Sequence, residues 1–127
     1  MNNIEITGTP KTPEVKFVAA DGKLEIKGRS IPENSIEFYS DLLVWIEEYA
    51  NAPKEQTEID MKLEYFNTSS SKCILDVFKK LEVINKAGKN VVVNWFYEEN
   101  DEDMLEAGED YDAIIDLPFQ MKVMEEI

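Results

Sequence analysis

The chain of 127 residues contains no histidine. That absence removes the commonest general base, every Ser-His triad and every imidazole metal site. Its one cysteine, Cys73, excludes an internal disulfide and suits a reducing compartment. Cys73 falls within a helical pattern, where a packed thiol is the plain expectation. Glycines number five, and none builds a nucleophile elbow or a P-loop around a serine. No apolar run is long enough to span a membrane. The opening "MNNIEITG" lacks the basic-then-apolar order of a signal peptide. A cytoplasmic protein without membrane insertion is therefore expected. Basic side chains are also few, with 13 Lys and Arg against 27 Asp and Glu, a formal net charge of −14. Such a chain repels phosphate backbones, so nucleic acid is not an expected partner.

Apolar residues are nonetheless 43% of the chain, enough to bury a core and to argue against disorder. The length suits one domain over residues 1–127. Ile4 to Thr7 reads as a short strand. Val15, Phe17 and Ala19, then Leu24 and Ile26, alternate about Asp21-Gly22, which predicts a hairpin with both turn residues at positive φ. "GRSIPEN" reads as a loop. Asn34 with Glu37 resembles a capping box and opens a helix to about Ala50. Its predicted buried face is Ile36, Tyr39, Leu42, Leu43 and Ile46. Phe38 and Trp45 form a second stripe, either extra core or a partner surface, with core preferred.

Ile59, Met61, Leu63 and Tyr65 alternate as a half-buried strand. Ile74, Val77, Phe78, Leu81 and Ile84 mark a second helix that Gly88 closes. "VVVNWFY" suits a strand covered on both faces. The acidic stretch Glu98 to Asp112 can carry a short helix with Met104, Gly108 and Tyr111 inward. It lacks the spacing of a calcium loop, so it reads as a solvated face and no metal is expected. Phe119, Met121 and Val123 form the last strand. Strands alternating with helices predict parallel pairing in the second half. The fold class is α/β, a mixed sheet with an N-terminal hairpin and crossover helices.

Between the strand ending at Phe66 and the second helix stands "NTSSSK", Asn67 to Lys72. One polar residue suffices to cap a helix; this segment offers five. It lies at the carboxyl end of a strand and the start of a helix, where free N–H groups and a partial positive charge gather. Two readings stay open. Asn67 or Thr68 caps the helix and the serines are solvated, or the segment carries a covalent phosphate supported by the helix start and Lys72. A catalytic role for Thr68 or Ser69 would need a base that the chain does not supply, so no catalytic residue and no enzyme is expected.

"SIPENSIEFY", "LEYFNTSSSK", "VNWFYEENDEDMLEAGEDY" and "LPF" together resemble the SiaC-type regulatory phosphoproteins, from about Thr7 to Met121. The resemblance implies a STAS-like fold, akin to anti-sigma-factor antagonists, and no cofactor. It implies that Thr68 accepts a phosphate from a dedicated protein kinase and that a PP2C-type phosphatase removes it. It also implies that the unphosphorylated form binds and activates a diguanylate cyclase, which favours biofilm. The alternative within that class is an anti-sigma-factor-antagonist-like switch with no cyclase. The expected partner-binding residues are Glu33, Asn34, Asn67, Thr68, Ser69, Ser70, Lys72 and Tyr97.

Overall fold

The computed structural model describes residues 1–125 of the chain. Six strands form one sheet in chain order: β1 (Ile4–Ile6), β2 (Glu14–Val18), β3 (Lys23–Ser30), β4 (Gln56–Phe66), β5 (Asn90–Glu98) and β6 (Phe119–Met124). β1, β2 and β3 pair antiparallel; β3 to β6 pair parallel, as the strand-helix alternation predicts. The crossovers are helices α1 (Ser35–Tyr49), α2 (Thr68–Lys86) and α3 (Glu102–Ile114). Each parallel crossover advances one strand in the same direction, so right-handed connections put all three helices on one face.

That arrangement corrects the expectation for β5. Val91, Val93 and Trp95 are buried beneath the helices, but Val92 and Phe96 are only half-buried on the opposite face. There the stems of Lys62 and Lys122 cover the Phe96 ring, with ammonium groups 5.0 and 5.8 Å from its centroid. Charged residues can sit on that face because no helix strips their water.

Three local features also differ from the sequence expectation. Gly22 alone has positive φ in the β2–β3 hairpin; Asp21 instead ends a 3₁₀ turn, Ala19–Asp21, which Gly22 closes. "GRS" is strand rather than loop, and the β3–β4 register shifts between Gly28 and Arg29, where Gly28 takes φ 110°. The same shift turns Tyr65 outward, 50% exposed, with Arg29 against its ring, and lets Phe66 pack inward on Trp95. In α1, Ile36 is exposed, Leu43 is half-buried and Ser35 occupies the buried first-turn position. Trp45 is core, stacked on Tyr49, and Phe38 packs against the core edge.

Trp95 organises the α3 side. Its indole N–H donates to the Met104 carbonyl at 2.9 Å, and its ring meets Phe66, Phe78 and Tyr111. Met104, Gly108 and Tyr111 are the inward residues of α3, as the sequence predicts. A methyl group on Gly108 would stand 2.4 Å from Trp95 Cδ1. Gly108→Ala is therefore expected to push α3 off the sheet and cost about 1–3 kcal/mol in urea denaturation. An unchanged midpoint would show that the indole has room to move.

Candidate functional site

The hydroxyl cluster has a distinct place for each residue. β4 ends at Phe66 and the chain turns into α2 with Asn67 extended at the N-cap. Asn67 Oδ1 accepts from the Ser70 N–H at 2.8 Å, so Asn67 is the cap and Thr68 is the first helical residue. The Asn67 N–H donates to the Ser30 carbonyl at 3.0 Å, tying the helix start to the end of β3.

Successive residues of the first turn then point about 100° apart and meet different neighbours. Ser70 is fully buried. Its hydroxyl donates to the Ser30 carbonyl at 3.0 Å and accepts from Ser30 Oγ at 2.8 Å, while Tyr39 closes on Ser30 at 2.7 Å. Ser69 is exposed; it donates to Asn67 Oδ1 at 3.2 Å and lies 2.7 Å from Ser35 Oγ in the first turn of α1. Ser71 lies 3.0 Å from the Tyr111 hydroxyl, which donates to the Ser71 carbonyl at 2.8 Å. These serines join β3, α1, α2 and α3 at one corner. They are not merely solvated, as the simple cap reading had it. Ser70 presents no surface, which removes it from the expected partner-contact set.

Thr68 differs from all of them. It is exposed, and its hydroxyl has no hydrogen-bond partner among the described residues. It rims a hollow of about 420 Å³ between α2 and α3. Lys72, four residues on and so on the same helical face, lies on the same rim and makes no ion pair among the described residues. Phe66, Leu75, Ala107 and Tyr111 supply apolar surface, with Asp110 and exposed Ile114 on the α3 side. Sequence reasoning placed Tyr111 inward but missed that α3 walls the site. Tyr111 joins those segments through its hydrogen bonds to Ser71 and its ring contacts with Phe66 and Phe78, and no spacing along the chain announces them.

Of the other expected contact residues, Glu33 and Asn34 are exposed beside the start of α1. Asn34 caps α1, its Oδ1 accepting from the Glu37 N–H at 3.0 Å. The Glu37 carboxylate returns to the Asn34 side-chain amide at 3.4 Å rather than to its backbone. Ser35 brings this helix start against that of α2. Tyr97 is half-buried on β5 and does not line the hollow. Among the described residues no acidic or thiol cluster could hold a metal, and no helix is long and apolar enough to cross a membrane.

Burial pushes the Tyr111 hydroxyl up to about 12, partly offset by its bond to Ser71; burial also raises Tyr39 and Cys73. An unfolded tyrosine titrates near 10. The neutral form is therefore favoured by folding: its stabilisation is complete below about pH 10 and is lost as pH rises through about 12. Denaturation midpoints should fall steadily above pH 10, and the fall should be shallower in Tyr111→Phe. An identical alkaline slope in that variant would remove Tyr111 from the account.

The sequence pattern described as "SiaC family regulatory phosphoprotein" matches residues 6–124. An uncharacterised protein of Pseudomonas aeruginosa, strain UCBPP-PA14, is 31% identical over 99% of this chain and all of that protein. The crystal structure of apo-SiaC from Pseudomonas aeruginosa superposes with a TM-score of 0.90 at 30% identity, covering 97% of this chain and 100% of that one. SiaC of the same organism in complex with the diguanylate cyclase SiaD, which it activates, also gives 0.90 at 30% identity, over 95% and 99% of the two chains.

Proposed function

The chain belongs to the SiaC family of regulatory phosphoproteins, and we propose that it is a protein-binding switch whose setting is a phosphate on Thr68. The observation that carries this reading is the uncommitted hydroxyl of Thr68, exposed at the rim of a hollow while its serine neighbours are bonded within the fold. In its unphosphorylated form the protein binds and activates a diguanylate cyclase, as SiaC does with SiaD. A protein kinase adds the phosphate and a PP2C-type phosphatase removes it. The protein works in the cytoplasm and is not itself an enzyme.

The geometry explains how a phosphate there would act outward rather than inward. Phosphorylation adds about −1.5 to −2 charges and several acceptor oxygens. Thr68 is the first residue of α2, where the helix dipole favours an anion, and Lys72 stands one turn on. The fold therefore tolerates the dianion. A partner surface shaped for a hydroxyl would have to desolvate it, and binding fails there.

The test is to mix the unphosphorylated protein with extract of its own cell and measure what it retains. A retained diguanylate cyclase whose synthesis of cyclic di-GMP rises on binding supports the reading. Retention of a kinase without any cyclase would replace it with the anti-sigma-factor-antagonist-like alternative.

A further inference from the structure

From Glu98 to Asp116 the chain carries ten acidic side chains and no lysine or arginine. This segment is α3 with its flanking turns, and α3 forms one wall of the hollow that Thr68 rims. The other wall, α2, brings Lys72 to that rim. Inside, the surface is largely apolar, and Ile114 stands 65% exposed at its edge. An exposed isoleucine beside half-buried Leu75 and Ala107, bordered by so dense a carboxylate field, has no role in the core. An apolar floor bordered by carboxylates along α3 and by Lys72 on α2 is instead the pattern of a binding surface.

We infer that the hollow between α2 and α3 receives an apolar side chain borne on a lysine- or arginine-rich segment of the output partner. The identity of that partner as the protein released by phosphorylation rests on the switch reading above; the chemistry of the segment does not. Three arguments select this occupant. Charge complementarity requires cations opposite Glu106, Glu109 and Asp110, and these carboxylates make no ion pair among the described residues. A second copy of this chain would bring an equal acidic field against the first. A kinase must leave the Thr68 hydroxyl open to its own active site, whereas an occupant of the hollow covers it.

The consequence is a division of labour across one small surface. The acidic wall steers a basic segment in and makes its arrival sensitive to salt. The apolar floor fixes register through one side chain. A phosphate on Thr68 would block the mouth of the hollow sterically while adding charge that the basic segment alone would welcome. Release therefore depends on filling the anchor's entrance and desolvating the phosphate, more than on simple repulsion.

The test uses three synthetic peptides of equal length and amide NMR of the whole protein. The first has lysines flanking a single leucine, the second replaces that leucine by alanine, and the third replaces the lysines by glutamates. The first peptide is expected to shift Leu75, Ala107, Asp110 and Ile114 and to bind about tenfold more tightly than the second. Ile114→Ser, at an exposed position that leaves the fold intact, should weaken it several-fold. So should Glu106→Gln with Asp110→Asn, and so should raising ionic strength from ~0.05 to ~0.5 M. Equal binding of the lysine and glutamate peptides, shifts scattered over the surface, or indifference to Ile114→Ser would each overturn the inference. A dimer that Ile114→Ser converts to monomer would also overturn it, in favour of a second copy. A first peptide that binds wild type and Thr68→Asp equally supports the docking chemistry and removes the switch instead.

Discussion

Thr68→Asp is expected to weaken binding of the output partner about a hundredfold, close to 3 kcal/mol. Thr68→Ala should bind within a few-fold of wild type and should no longer be switched off. The asymmetry follows from the position of the side chain. Its hydroxyl makes no hydrogen bond among the described residues, so its removal leaves none of their polar groups unsatisfied. A carboxylate at the same place must lose its water when the partner covers the rim. Isothermal titration with the partner reads both effects, and the fold should be unchanged in each variant. Equal affinity of wild type and Thr68→Asp would mean that charge at this rim does not control binding. A Thr68→Asn control, similar in size and uncharged, separates charge from bulk.

The second large effect lies behind the site. Trp95→Ala should cost about 3–5 kcal/mol of stability, because a fully buried indole would leave a cavity and the Met104 carbonyl would lose its donor. The loss should not be uniform. Phe66, Phe78 and Tyr111 all rest on that ring, and Tyr111 in turn holds α3 to the first turn of α2. Hydrogen exchange should therefore show α3 losing protection well before β2 and β3, which pair with each other on the far side of β4 from Trp95. A loss below 1 kcal/mol with α3 still protected would contradict the view that Trp95 anchors the wall of the hollow.

Much of this arrangement is written in local chemistry. The alternation of Ile59, Met61 and Leu63, the helical spacing from Ile74 to Ile84, and the caps Asn34 and Asn67 act over a few residues, so the sequence shows them directly. What it hides depends on partners far along the chain. Tyr65 continues a perfect alternation yet faces out, because the register slips between Gly28 and Arg29 on the neighbouring strand. Ile36 fits the apolar spacing of α1 yet is exposed, because the corner beneath its turn holds a hydroxyl network that takes Ser35 instead. "VVVNWFY" is apolar throughout, but lysine stems rather than a helix shelter its outer ring.

The functional segment shows the same division. The position of "NTSSSK" between strand and helix marks a candidate site, but not which hydroxyl is free. That distinction comes from Ser30, Ser35 and Tyr111, each at least 34 residues away from the serine it meets. Phosphate placement on Thr68 rather than on Ser69, Ser70 or Ser71 is thus a claim about tertiary structure as much as about motif.

That claim is tested most directly by peptide mass spectrometry on the protein taken from its native cell, before and after phosphatase treatment. The account predicts a phosphatase-sensitive phosphate on Thr68, none on buried Ser70, and no incorporation into Thr68→Ala. Phosphate on another residue, or undiminished incorporation into Thr68→Ala, would contradict it.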